Sequence, residues 1–219
     1  MSYEYITRFN SPNYTTKQRT AQVFGVARSI SGIVIHHWGD PATRPSFSGV
    51  ISWLCRRGGN SSAHMVIEAG RCACIVPLEG SAWHSGSARG NATTIGLELN
   101  PRASEADYAT ASEVIADLWL YYGVLPLTKH SYWKATACPG RWDIDRLKEM
   151  AMKDYRKKKG NKHNGNSVNS TAKYHTVKMG ETLTSISRKY NTSVSELMKI
   201  NKISDKNKIN VNQKIKIKK

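Results

Sequence analysis

Apolar and polar positions divide the chain into two patterned stretches with an unpatterned one between them. In the first, the β-branched run Ile33-Val34-Ile35 of SISGIVIHHW reads as a buried strand, which ends in His36 and His37 before the loop GDPATRP. FSGVISWLCRRGG places Val50, Ile51, Leu54 and Cys55 at helical spacing and closes on Gly58, a residue suited to a left-handed helix stop. SSAHMVIEAGRCACIVP has the form of a hairpin with Ala69-Gly70 in its turn, and ATTIGLELN is a further short strand that carries Glu98. The longest helix is predicted from Ser104, an N-cap with Asp107 three residues on, to about Tyr122 before Gly123. After the loop through Cys138-Pro139-Gly140, a final helix is predicted over roughly Asp143–Lys153.

Residues 153–173 are rich in Lys, Asn, Gly and Ser with a single valine, too little apolar area to offset the entropy of ordering, and are predicted to be a linker. The pattern returns beyond it. Tyr174, Thr176 and Val177 suggest a strand; Leu183, Ile186 and Tyr190 line one helix; Val194, Leu197 and Ile200 line a second, with Ser193 and Glu196 as a capping box. Ile209, Val211, Ile215 and Ile217 alternate as a closing strand does, completing a β-α-α-β module. The expected division is 1–152, a linker over 153–173, and a module over 174–219.

A length of 219 residues accommodates one medium domain and one small one, and 39% hydrophobic content suffices for a core. No apolar run approaches the ~18 residues of a membrane span, so no stable membrane insertion is expected. MSYEYITRFNSPNYTT lacks the charged start and apolar stretch of a secretory signal, so synthesis in the cytoplasm without that export route is expected. The net charge of +17 changes the picture only through its distribution. Residues 1–152 hold 15 Lys+Arg against 12 Asp+Glu, whereas residues 153–219 hold 18 against 4. Such a basic tail concentrates a chain on polyanions, the phosphate-rich polymers of a bacterial wall included. It has few aromatic residues for base stacking, so specific nucleic-acid binding is not expected. Cys72 and Cys74 lie two apart in a strand and face the same way, which suits buried small hydrophobes better than a disulfide.

The candidate chemistry lies in KHSYWKATACPG, where seven residues separate His130 from Cys138. With a histidine from the end of the IVIHH strand, they make three ligands of the kinds a catalytic zinc uses, leaving a fourth position for water. His36 and His37 compete for that third place, because successive strand residues point to opposite faces. Glu98 is a carboxylate embedded in the apolar strand IGLEL, where isolation is costly and a functional partner is favoured. It could take the proton of an attacking water and pass it to a leaving amine.

These residues resemble a known family. Through IVIHHWGD, SSAHMVIEAG, AWHSGS, TTIGLELN and KHSYWKATACPG, residues 30–150 resemble the zinc N-acetylmuramoyl-L-alanine amidases, whose fold is shared by phage lysins and peptidoglycan-recognition proteins. Endolysins of phages of actinobacterial hosts are nearest in pattern. The resemblance implies an α/β fold with a central mixed β-sheet flanked by helices, and one zinc ion on His36, His130 and Cys138. It implies Glu98 at the catalytic acidic position, and Trp83, His64 and His84 lining the substrate groove. Ala63 stands where some members carry a catalytic Tyr, and Thr136 where some carry a Lys; peptidoglycan-recognition proteins also have Thr there, and it is expected to assist the tetrahedral intermediate by hydrogen bonding. Residues 174–218 resemble a LysM module, which implies binding of N-acetylglucosamine-containing glycans through Gly180, Glu181, Thr182 and Leu183 and through Asn201, Lys202 and Ile203. The partner implied is bacterial peptidoglycan, cleaved between N-acetylmuramic acid and L-alanine by a monomer that reaches the wall through a holin-type pore. The alternative is a non-catalytic peptidoglycan-binding protein, a state this fold reaches when the metal cysteine is lost; Cys138 is present.

Overall fold

A computed structural model describes the chain apart from residues 1, 40, 41, 44, 162–173, 179, 207, 208, 211, 212, 218 and 219. The first domain runs β1 (Glu4–Ile6), β2 (Tyr14–Thr15), α1 (Lys17–Phe24), β3 (Gly32–His37), α2 (Phe47–Cys55), β4 (Met65–Glu68), β5 (Arg71–Cys74), β6 (Ser81–Ala82), α3 (Ala88–Thr93), β7 (Thr94–Leu99), α4 (Glu105–Tyr122), β8 (Leu127–Lys129), a 3₁₀ turn (His130–Tyr132) and α5 (Ile144–Asn161). Six strands form one mixed sheet in the order β1-β5-β4-β7-β3-β8. Only the β4–β5 hairpin is antiparallel; β1 and β5, and the set β4, β7, β3 and β8, pair in parallel.

Strand alternation sorts side chains between the two faces. Ile33, Ile35, Ile95, Leu97 and Leu99 share a core with Val114, Ile115, Leu118 and Trp119 of α4 and Leu147 and Ala151 of α5. Val66 and Ala73 face the other way, onto Phe47, Val50, Ile51 and Leu54 of α2. Each large apolar side chain so buried contributes ~1.5–3 kcal/mol. Cys72 and Cys74 are both buried in the α4–α5 core, and all four cysteines are free, as expected from their spacing.

Ser104 caps α4 in a capping box with Asp107. Asp107 also accepts the Ala69 amide at 2.9 Å, and Thr110 accepts that of Gly70 at 2.8 Å, so α4 grips the β4–β5 turn. Helix α2 stops at Cys55 instead of reaching Gly58, because Arg56 turns extended and its guanidinium folds back over the Trp53 indole.

The expectation of a linker from residue 153 is corrected: α5 continues to Asn161. Met152 and Tyr155 pack on the core, and Lys158 donates to the buried Asp117 at 2.6 Å, whose other oxygen accepts the Tyr3 hydroxyl at 2.9 Å. These partners lie about forty residues or more back along the chain, beyond the reach of local composition. The rest of the predicted linker, 162–173, lies outside the described residues.

The second domain comprises β9 (Tyr174–Thr176), α6 (Leu183–Lys189), α7 (Val194–Asn201) and β10 (Lys214–Lys216), the β-α-α-β order expected. Val177, Leu183, Ile186, Leu197, Ile209, Ile215 and Ile217 fill its core, and the Ser193 side chain caps α7. The regular part of the closing strand is shorter than the alternation suggests; Val211, one of its positions, lies outside the described residues.

Candidate metal centre and active site

The parallel strands β3, β7 and β8 deliver their carboxyl ends to one edge of the sheet, the usual place for a site in an α/β fold. His36 and Glu98 are register partners on β3 and β7 and face the α2 side. His37 takes the opposite direction, its ring against Gly140. Alternation therefore assigns His36 to the site, together with His130 from the turn after β8 and Cys138 from the following loop. Trp133 and Trp142 pin that loop at its two ends, donating to Thr128 Oγ1 at 3.1 Å and to the Asn100 carbonyl at 2.9 Å.

One donor atom from each of His36, His130 and Cys138 lies within 4.8 Å of the others. The His36 Nδ1 to Cys138 Sγ separation is 3.9 Å, close to the ~3.5 Å edge of a tetrahedron built from zinc–nitrogen and zinc–sulfur bonds. Each imidazole is oriented from behind. His36 Nε2 lies 3.0 Å from His84 Nδ1, and His84 Nε2 lies 3.2 Å from Thr94 Oγ1, whose hydroxyl donates to the Gly90 carbonyl at 2.6 Å. Followed back from that carbonyl, the chain is satisfied when His84 Nε2 and His36 Nε2 carry protons, which frees His36 Nδ1 for a metal. His130 Nε2 donates to the Ser85 carbonyl at 3.3 Å, which frees its Nδ1 in the same way. Burial, aided by neighbouring imidazoles, holds His36 well below the usual histidine range and thus neutral, as a ligand must be. Burial pushes the Cys138 thiol up to about 12, so a thiolate there needs a cation beside it. The donor set suits zinc.

Glu98 is half-buried, and burial pushes its carboxyl up to about 7. Its Oε2 is buried without a hydrogen-bond partner, one of two such side-chain atoms among the described residues. A cavity of about 440 Å³ opens beside it, walled by Trp38, Val50, Trp53 and Leu54. A second cavity of about 290 Å³ is lined by Asn60, Trp83, His84, Asn91, His130 and Lys134. Ser61 lines both, so the two cavities adjoin, with Glu98 on the larger and His130 on the smaller.

Trp83 and His84 both line the smaller cavity. Trp83 is held by a 3.0 Å bond from its indole to Thr15 Oγ1. His64 lines neither cavity: it is fully buried, its Nδ1 accepts the Gly96 amide at 2.9 Å, and its Nε2 lies 3.2 Å from the Gly80 carbonyl. Thr136 lies in the Cys138 loop with its Oγ1 accepting the Cys138 amide at 3.2 Å. Sequence reading did not single out Trp38, Trp53 or Lys134. The one local signal of this crowding is Gly96 inside IGLEL, where an added Cβ would lie 2.5 Å from the His84 ring. Replacing His84 with Ala is expected to weaken zinc binding ~10–100-fold with the fold intact, measured by chelator competition alongside circular dichroism.

Residues 26–141 match the family described as N-acetylmuramoyl-L-alanine amidase. The chain belongs to this family. Residues 175–218 match the LysM domain. N-acetylmuramoyl-L-alanine amidase XlyB of Bacillus subtilis (strain 168) is 30% identical over 207 residues, covering 87% of this chain and 63% of XlyB. XlyA of the same organism is 26% identical over 201 residues, covering 86% and 61%. The chain thus spans less than two thirds of the length of either relative. The solved catalytic domain of XlyA aligns with TM-score 0.54 at 20% identity, over 68% of this chain and 99% of that one. Staphylococcus aureus hydrolase AmiA, solved with its ligand, aligns with TM-score 0.57 at 18% identity, over 73% and 87%. At such identities the structural likeness is one of fold.

In the LysM domain, most of the residues expected to bind glycan hold the module together, and Gly180 touches the amidase domain. Leu183 is core, Glu181 bonds His175 and the Lys178 amide, and Thr182 accepts the Ser185 amide at the start of α6. Asn201 ties α7 to β10 by exchanging bonds with the Lys216 backbone, Lys202 ends α7 in a left-handed turn, and Ile203 packs on the core. The Gly180 amide donates to the Tyr5 hydroxyl at 2.8 Å, and a Cβ at Gly180 would collide with Leu78.

Proposed function

We propose that the chain is a zinc-dependent peptidoglycan hydrolase of the endolysin type that cleaves the amide between N-acetylmuramic acid and L-alanine. The convergence of His36, His130 and Cys138 beside a buried, unpartnered Glu98 oxygen carries this reading. His36, His130 and Cys138 would hold the ion, which would supply Lewis-acid chemistry at the scissile carbonyl. Glu98 takes a proton from the attacking water and returns it to the leaving amine; its raised pKa, near 7, suits both directions of transfer. Thr136 keeps its hydroxyl proton to donate to the developing oxyanion, since its oxygen already accepts the Cys138 amide. The LysM domain holds the enzyme on wall glycan, and the basic tail adds attraction to anionic wall polymers. No described helix is long and apolar enough to cross a membrane.

Digestion of purified walls is expected to release new N-terminal alanine and no new reducing sugar ends. Reducing ends without alanine would mean glycosidase chemistry and would overturn the reading.

A further inference from the structure

The two cavities that meet at Ser61, one beside Glu98 and one beside His130, differ in charge. Glu98 is the charged side chain lining the larger one, whose walls are otherwise mainly apolar. Trp53 stands 61% exposed on that wall, an indole surface suited to an uncharged ring such as a sugar, and the Arg56 guanidinium packs 3.5 Å from its ring centre. Lys134 is the charged side chain lining the smaller cavity, among Asn60, Asn91 and His84. Its aliphatic stem lies flat over Gly86, where a Cβ would come within 2.5 Å of Lys134 Cδ. Gly86 has φ +67°, a conformation that favours glycine, so backbone and side chain together leave this lane open. Lys134 makes no ion pair among the described residues.

The substrate of the proposed reaction has a matching asymmetry. On one side of the scissile amide lies an uncharged amino sugar. On the other, one residue past L-alanine, lies D-glutamate, whose α-carboxylate is free in some walls and amidated in others. We propose that the smaller cavity takes the stem peptide and that Lys134 reads a free carboxylate on it, leaving the sugar to the Trp53 side. The opposite placement would bring that carboxylate toward Glu98 and away from Lys134, a like-charge arrangement that binding avoids. Lys134 is thus a specificity residue of the amidase, an assignment that rests on the amidase reading.

The test uses the zinc-loaded full chain and two muropeptides that differ only in whether the D-glutamate α-carboxyl is free or amidated. The wild type is expected to favour the free acid about tenfold in kcat/KM, the scale of a charge-assisted hydrogen bond. Lys134→Gln should collapse that preference toward unity through KM, and Lys134→Arg should keep it. Zinc content of each variant is measured in parallel. Equal losses on both substrates, or a loss confined to kcat, would overturn the proposal. In a second arm, the metal-free protein is titrated calorimetrically with the two free stem peptides, with no turnover needed. A preference for the free acid that disappears in Lys134→Gln supports the proposal, and its absence from the wild type overturns it. Should the wild type cleave neither muropeptide, the amidase reading fails and this binding arm alone decides the role of Lys134.

Discussion

Replacing Glu98 with Gln is expected to lower kcat by ~10²–10⁴-fold, the usual contribution of a positioned acid–base group, while zinc content stays at that of the wild type. The same substitution is expected to stabilise the metal-free protein above neutral pH. Burial raises the folded-state carboxyl from its ordinary 4.5 to about 7. Below about 4.5 the group is protonated in both folded and unfolded chains and costs nothing. Between 4.5 and 7 the unfolded chain has released its proton and the folded chain retains it, so stability falls as pH rises; above 7 the penalty is complete. Because the side chain is partly exposed, the penalty is discounted to on the order of 1–2 kcal/mol. Urea denaturation of metal-free wild type and Glu98→Gln should therefore differ at pH 8 and converge at pH 4. Equal stability at both values would mean that the carboxyl is not held in an unfavourable site.

Cys138→Ser is expected to reduce bound zinc from one ion per chain to near zero and to lower kcat/KM by ~10³-fold or more, since the ion supplies several kcal/mol of transition-state stabilisation. Serine preserves volume but does not ionise, so two imidazoles remain, too few for a catalytic zinc site. The Cys138 sulfur also accepts the His37 amide at 3.4 Å, a bond that the serine oxygen can replace, so the loop should keep its course. Elemental analysis with circular dichroism reads both effects. Stoichiometric zinc in the serine variant would show that the ion is held elsewhere.

The donor types of the site were legible in the chain, and the family resemblance pointed to His36, but the strand pattern alone left His36 and His37 open. IVIHH announces a buried strand and two histidines, and only the pairing of β3 with β7 puts His36 beside Glu98 and turns His37 toward Gly140. Which imidazole nitrogen faces a metal depends on His84 and the Ser85 carbonyl, about fifty residues away from each ligand and invisible to local pattern. Strands β1 and β8 are three residues each, too short for alternation to register. Helix α3, ARGNAT, has no apolar stripe, and its buried Asn91 is used to accept the His84 and Ser85 amides. The lysine-rich end of α5 reads as solvated chain until Asp117 and Glu113 are seen beside Lys158. The cavities lie between loops, helices and strand ends, so Trp53 and Lys134 acquire meaning only in three dimensions.

The burial of the cysteines away from the site bears on how long such an enzyme survives in air. A thiol oxidises through its thiolate, and burial pushes Cys55 up to about 11 and Cys74 to about 12; Cys72 is also raised well above the usual thiol range, by burial first and then by the charges of Cys74 and Asp117. At neutral pH the ionised fraction of such thiols is about one in ten thousand or less. None of the three has a disulfide partner in the structure. These three sulfurs therefore act as inert packing that resists oxidation in air.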